Sequence, residues 1–544
     1  MIDEEIMNLT KEMVKIKSVN TTSGEADIAL FIEEYFGKLP YYQKHPEYLI
    51  SCRLKDDKLG RRSVIAVFRG EKGTSNKTIL LHGHTDTVGL EGFGALEPYA
   101  CDPDELLPRM LEAKMPEEIK KELESGDYMV GRGSCDMKSG DAVFMTLVKR
   151  YSEHPEDFSG NLVLSLNPVE ENLHTGMIES LPVLCELKKK YGFDYILAIN
   201  NDFTSPLFKG DDIKTIYTGI GGKVLPCFYI QGKETHVGQC FEGFDASMLA
   251  AEITRKIQLS MDFADTFEGE TTYPPSVLKL KDLKSWYNVQ TAKEAFVYFN
   301  YFVHGASMQE ITDKLTAAAT KAFDETLKKI QKESKEFALR SGEKWNEYSY
   351  ENKVMTYENL FLLAQKSNPE IKDKLEKIAQ SELEKGTDKR EVPIAMIRQL
   401  LQETGITQPV VVLYYAAPYC PHSTIGGEDA YLLDGMKKVT DEITGQTGTK
   451  YRFKSFYPSL SDSSYIRIDD EMSSVKTLTN NFPAFKLLYN VPIDLIKELN
   501  IPAVNFGTYG SDAHKWTERV NISYTFGVLP KLVDRALKFF LDQQ

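Results

Sequence analysis

Short apolar runs that stop abruptly at an acid or an imidazole recur along this chain. In TILLHGHTDTVG, residues 78–89, Ile79, Leu80 and Leu81 give way to His82, His84 and Asp86. Runs of this length, bounded by polar residues and glycine, suit a buried strand of a parallel sheet. Residues 161–166 (NLVLSL), 194–199 (DYILAI) and 502–506 repeat the pattern, and 63–68 (SVIAVF) is a further strand. Helical spacing lies between them: two helices over 3–38, an inward face at Ala142, Val143, Leu147 and Val148, and an amphipathic closing helix near 529–541. Strand and helix alternation of this kind predicts an α/β fold, a mostly parallel sheet flanked by helices. Residues 90–130, rich in proline and acids, read as a long excursion outside the core that covers a site.

From about Lys214 the texture becomes that of antiparallel strands, with a helix over 245–260, a strand over 295–303 and a helix from about Met308. This β-α-β-β-α order predicts an inserted α+β lid or dimerisation domain. Residues 306–402 enlarge it with charged helices whose charge is mostly solvated face. At PVVVLYYAA, from Pro409, the α/β texture returns. The expected division is a catalytic domain over 1–213 and 406–544, interrupted by an insertion over 214–405.

The 544 residues allow two or three domains with sizeable cores. A formal net charge of −15 argues against a nucleic-acid partner. No apolar run is long enough to span a bilayer, and the N-terminal stretch lacks a basic region followed by an apolar core, so neither a membrane partner nor a signal peptide is expected. Seven cysteines without CxxC spacing form neither a disulfide framework nor a thiolate zinc site, and a reducing cytoplasm is the natural location.

Chemistry gathers beyond the carboxyl ends of strands in open α/β sheets. There the sequence delivers His84 and Asp86, Asp136 in GRGSCDMKSGDA, the pair Glu170–Glu171, Asp202 and His514. Two imidazoles and several carboxylates, without thiolate, suit two divalent ions, zinc by preference, with manganese or cobalt as alternatives. Asp136, Glu171 and Asp202 would set three negative charges against the four positive charges of two ions. One bridging hydroxide then leaves the cluster near neutral. His82 reads as a structural neighbour and Cys135 as a packing residue. His45, His154, His174, His304 and His422 read as ordinary.

The blocks KSV (17–19), HTD (84–86), GRGSCDMK (131–138), EE (170–171), THVG (235–238) and GSDAH (510–514) occur in one order across nearly the whole chain. In this the chain resembles the dizinc hydrolase family of aminoacylase, carboxypeptidase G, peptidase T and succinyl-diaminopimelate desuccinylase. Its size and the segment PVVVLYYAAPYCPH are most similar to the arginine-utilization (RocB-like) branch. The resemblance implies that His84 binds one ion, with Asp86 orienting it from behind, and that Asp136 bridges both. Glu171 and His514 would complete one ion and Asp202 the other. A cis peptide would follow Asp136, and Glu170 would act as general base. His236 would hold the carbonyl oxygen, coming from a neighbouring subunit in dimeric relatives. Asn288 and the loop Thr508, Tyr509 and Gly510 would meet the substrate. Where many members carry an arginine that grips a carboxylate, this chain has Tyr301, so recognition of a free α-carboxylate is not implied.

The function implied is hydrolysis of an amide bond in an N-acyl amino acid or small peptide by a hydroxide bridging two ions, on an arginine catabolic route by branch resemblance. A carboxypeptidase or dipeptidase is the alternative within the family. A metal-bound binding protein without turnover is the alternative outside it, and a homodimer is compatible with either.

Overall fold

The computed structural model describes residues 2–347 and 349–542. The chain forms two compact units. One runs up to Ile220 and includes Ser423–Ile468 and the chain from Pro492 onward; the other comprises Gly221–His422 and Asp469–Val491.

The first unit is built on an eight-stranded sheet. Its order is Leu49–Arg53, Arg62–Arg69, Asn161–Asn167, Lys77–His84, Asp194–Asn200, Ala503–Asn505, Lys214–Tyr217 and Tyr451–Lys454. The central four, from Asn161–Asn167 to Ala503–Asn505, are mutually parallel, and the two strands before them are antiparallel. Asn161–Asn167 is buried at every position, and Lys77–His84 at all but its first, because helices cover both faces. The closing helix Leu529–Asp542 buries Leu529, Leu532, Val533, Ala536, Leu537, Phe540 and Leu541, one stripe at helical spacing. Each large aliphatic side chain in that stripe contributes about 1.5–3 kcal/mol by leaving water. Lys138, first residue of the helix Lys138–Glu153, is buried and donates from Nζ to the carbonyls of Met13 (3.1 Å) and Ile16 (2.7 Å). It thereby caps the carboxyl end of Glu4–Lys15, where carbonyls lack helical partners.

The 90–130 segment departs from its expected form. Instead of an uncored loop it makes two helices, Pro103–Glu112 and Glu117–Glu124, around a cluster of Phe93, Ala100, Leu106, Met110, Leu123 and Val130. Asp102 starts the first by accepting from the Asp104 and Glu105 amides. Pro103 takes the first position of its helix, where its missing amide costs no hydrogen bond.

The second unit has a five-stranded sheet in the order Ser276–Asp282, Glu294–Val303, Gly222–Gln231, Val410–Cys420 and Val354–Thr356. The expected β-α-β-β-α order is present, with Ala246–Ile257 and Met308–Ser341 as its helices. The long helix opens with a reciprocal capping pair, Ser307 and Glu310. The charged stretch beyond it forms Tyr357–Ser367, Ile371–Glu384 and Val392–Thr404. Two boundaries fall elsewhere than expected. Val410–Cys420 pairs with Gly222–Gln231 in this unit, and Lys214–Tyr217 belongs to the sheet of the first. A fully buried central strand reads as the same apolar run whichever sheet it joins.

Candidate metal centre

Register sets the first unit's chemistry at one level. His84 ends its strand opposite Asn167, and His82 lies opposite Asn200. The loops carrying Asp86, Glu170–Glu171 and Asp202 therefore leave the parallel strands along the same edge. Asp136 stands two residues before the helix Lys138–Glu153, and the peptide bond that joins it to Met137 is cis. His514 lies beyond Ala503–Asn505, at the end of a loop whose glycines permit close approach. A Cβ on Gly510 would lie 2.4 Å from Cys135 Sγ, and one on Gly507 would lie 2.3 Å from the Asp202 carbonyl.

Two groups of possible ligands result. His84, Asp136 and Asp202 offer donor atoms all within 4.8 Å of one another, and so do Asp136, Glu171 and His514. Asp136 is common to both and gives one oxygen to each. Its Oδ1 is 2.9 Å from His84 Nε2 and its Oδ2 is 3.0 Å from His514 Nε2. Glu171 Oε1 also lies 3.0 Å from His514 Nε2. The first group is wholly buried, whereas the His514 side chain is 49% exposed, so the second opens to solvent.

The electrostatics are those of a site built for positive charge. Burial and the neighbouring Asp136 charge push Asp202 up to about 8. Burial, again with Asp136, raises Glu171 as well. Burial alone would lower His514, but its bonds to Asp136 and Glu171 carry it up to about 11. His84 is likewise held well above its ordinary value, against burial, by Glu170 and Asp136. Asp136 moves the other way: burial would raise it, yet the two imidazoles hold it below the usual carboxylate range. Asp202 and Glu171, crowded beside Asp136 in low dielectric, hold their protons more tightly than usual, and a cation would displace them. Two imidazole nitrogens and three carboxylates, arranged in two groups around a shared Asp136, fit a pair of divalent ions.

The surrounding shell differs in part from expectation. The Asp86 carboxylate lies 3.8 Å from His84 Nδ1, too far to hydrogen-bond it. The Asp86 main-chain carbonyl is 3.0 Å away instead and can only accept. Nδ1 therefore carries the hydrogen, and Nε2 is left to ligate. The carboxylate accepts from the Glu170 amide (3.0 Å), the Glu171 amide (3.2 Å) and Asn20 Nδ2 (2.7 Å), so it fixes the loop that carries both glutamates. Glu25 also holds that loop, accepting from the Val169 amide at 3.1 Å. Thr508 is buried, its hydroxyl donating to the Cys135 carbonyl at 2.9 Å. The Tyr509 hydroxyl donates to the Asp211 carbonyl at 2.9 Å. Both side chains are thus engaged within the protein. His82 bonds Ser463 Oγ at 2.9 Å and belongs to neither ligand group. His236 lies in the second unit and is exposed; its Nδ1 accepts from the Gly238 amide, and it bridges to Gln290, whose amide the Asn288 side chain accepts. The two residues expected to meet substrate from the insertion are therefore neighbours. Tyr301, in the same unit, is buried.

Glu518 and Arg132 escaped the sequence reading. Glu518 Oε1 accepts from the amides of Gly133 (2.8 Å), Cys135 (3.2 Å) and Asp136 (3.4 Å), and its other oxygen meets Arg132 Nη1. Arg132 also donates to the carbonyls of Gly89 and His514, both at 3.2 Å. One buried ion pair thus ties together the loops bearing Asp86, Asp136 and His514. The only signal was an acid four residues after His514. Arg132→Met leaves Glu518 buried without its partner, and an expected loss of about 3–5 kcal/mol follows at pH about 8. Burial already lifts Glu518 to about 7 from an ordinary 4.5. An acid raised in the folded state keeps its proton at low pH, so the penalty grows as pH rises past its unfolded value. Urea melts should therefore show a smaller loss at pH about 5 than at pH about 8.

Comparison with known proteins follows the same lines. The sequence pattern of peptidase family M20/M25/M40 matches residues 80–389. Protein RocB of Bacillus subtilis is 34% identical over 545 residues, covering 99% of this chain and 95% of that protein. Among solved structures, a tripeptidase from Staphylococcus aureus superposes with a TM-score of 0.55 at 15% identity, covering 100% of both chains. A dinuclear metal-binding peptidase of the M20 family, YXEP from Bacillus subtilis, gives 0.51 at 10% identity, covering 99% of this chain and 98% of the other. The structural likenesses speak for the fold, and the sequence matches settle membership: this chain belongs to peptidase family M20/M25/M40.

Proposed function

We propose that the protein hydrolyses the amide bond of an N-acyl amino acid or small peptide at a centre of two divalent ions. The observation that carries this reading is Asp136, whose two oxygens each face a different imidazole within two groups of possible ligands. His84, Asp136 and Asp202 would hold one ion, and Asp136, Glu171 and His514 the other. Bound there, the ions would supply Lewis acidity, lowering the pKa of a water and polarising the scissile carbonyl. Glu170 is buried beside these ligands, and burial raises its carboxyl well above the ordinary value. A carboxylate of raised basicity takes a proton from the attacking water and returns it to the departing amine. His236, with its exposed ring, would steady the carbonyl oxygen. A buried Tyr301 provides no guanidinium clamp, so grip on a free α-carboxylate is no part of this proposal. Zinc as the resident metal, a cytoplasmic location, a homodimer and a role in arginine utilization belong to the same proposal, the last resting on resemblance to the RocB-like branch.

The test is a panel of N-acylated amino acids and dipeptides, assayed after chelation and after return of zinc, manganese or cobalt. Hydrolysis of N-acyl amino acids that vanishes on chelation and returns with metal is expected. Preference for dipeptides would move the reading to a dipeptidase. Metal binding without turnover on any compound would leave a binding protein.

A further inference from the structure

Between the strand ending at Asn167 and the helix Thr175–Tyr191, a tight loop carries Glu170 and Glu171. Two non-glycine residues bracket the pair in left-handed backbone conformation, Val169 at φ 68° and His174 at φ 54°. The Leu173 and His174 amides close the loop on the Val169 carbonyl at 3.2 and 2.8 Å. Each such residue is strained and persists where its surroundings over-determine it.

The surroundings here are polar. The His174 ring is fully buried, with Nδ1 3.1 Å from Asp462 Oδ1 and 3.6 Å from Glu170 Oε1. Asp462 is buried too, and its second oxygen accepts from Asn167 Nδ2 at 3.1 Å. Its own loop is pinned to the sheet, Ser461 to Asn200 and Ser463 to His82, both at 2.9 Å. Glu170 Oε1 is buried with no hydrogen-bond partner. Two carboxylate oxygens thus converge on one ring nitrogen. Asp462 Oδ1 is within hydrogen-bond distance of that nitrogen, so a hydrogen on Nδ1 would lie between the two acids.

We propose that His174, fixed by Asp462, is a positioning residue for Glu170. Its single Nδ1–H, shared between Asp462 Oδ1 and Glu170 Oε1, sets the rotation of the Glu170 carboxylate, leaving the other oxygen for the water. The 3.6 Å separation closes as substrate fills the site, a tightening common to catalytic hydrogen bonds. This inference rests on the reading of Glu170 as the base.

The test uses the full chain loaded with metal and the N-acetyl amino acid hydrolysed fastest. His174→Leu is expected to lower kcat roughly 10–100-fold, as a misplaced catalytic group does. KM and metal content should stay within about twofold of wild type. His174→Asn places an amide nitrogen near the position of Nδ1 and should recover most of kcat. His174→Gln places it near Nε2 and should not. If the leucine variant fails to fold, the asparagine and glutamine variants give the same comparison. Equal kcat in those two, or a loss that follows metal content, overturns the proposal. Glu170→Gln separates the premises: if it is inactive while the His174 variants are unimpaired, only the positioning fails. If it is unimpaired, or the wild type turns over nothing, the base reading fails and takes this inference with it.

Discussion

Glu170→Gln should lower kcat by roughly 10²–10⁴-fold, the usual worth of a positioned general base. The substitution keeps the side chain's size and removes only the capacity to take a proton. Neither ligand group includes Glu170. Two ions per chain should therefore still be found by elemental analysis, and KM should change little. The loop itself should hold, because the Asp86 carboxylate grips the Glu170 and Glu171 main-chain amides rather than the Glu170 side chain. Parallel loss of metal and activity would assign Glu170 to the ligands and sink its role as base.

Asp136→Ala should have the broader effect. Each of the other proposed ligands serves one group, but Asp136 serves both, through different oxygens. Its removal leaves His84 with Asp202 on one side and Glu171 with His514 on the other. Metal content should fall from about two ions per chain to below one, since three protein ligands are the usual minimum for such an ion. The stabilisation that added metal gives the wild type on heating should largely disappear. His514→Ala offers the contrast. It touches only the solvent-open group, so one ion, in the buried group, should remain. Retention of two ions by Asp136→Ala would show that the groups do not share this residue as a bridge.

These expectations draw unequally on sequence and structure. His84, Asp136, Glu170, Glu171, Asp202 and His514 stood out in the chain as candidates because each follows a short apolar run or precedes a helix, and parallel strands bring such ends to one edge. The division into an α/β unit and a second α+β unit was legible from the change of periodicity near Lys214. Boundaries were less so: Val410–Cys420 is apolar throughout, and local pattern carries no information about which sheet will take it. The partners of the site were hidden for a related reason. Glu518 lies 382 positions from the Asp136 amide it accepts, Asp462 lies 288 from His174, and only folding brings these groups within hydrogen-bond reach. His174 looked ordinary because an isolated imidazole in a polar stretch has no periodicity to betray it.

By itself, then, the order of residues determined which elements form and which candidate ligands stand at their ends, since propensity and burial pattern act over a few residues. Tertiary structure alone decided that the Asp86 carboxylate holds a loop instead of an imidazole, that Arg132 and Glu518 clamp three loops, and that one ligand group is sealed while the other is open. Those outcomes depend on distances of a few ångströms between segments far apart in the chain, which are set by packing and register rather than by local composition.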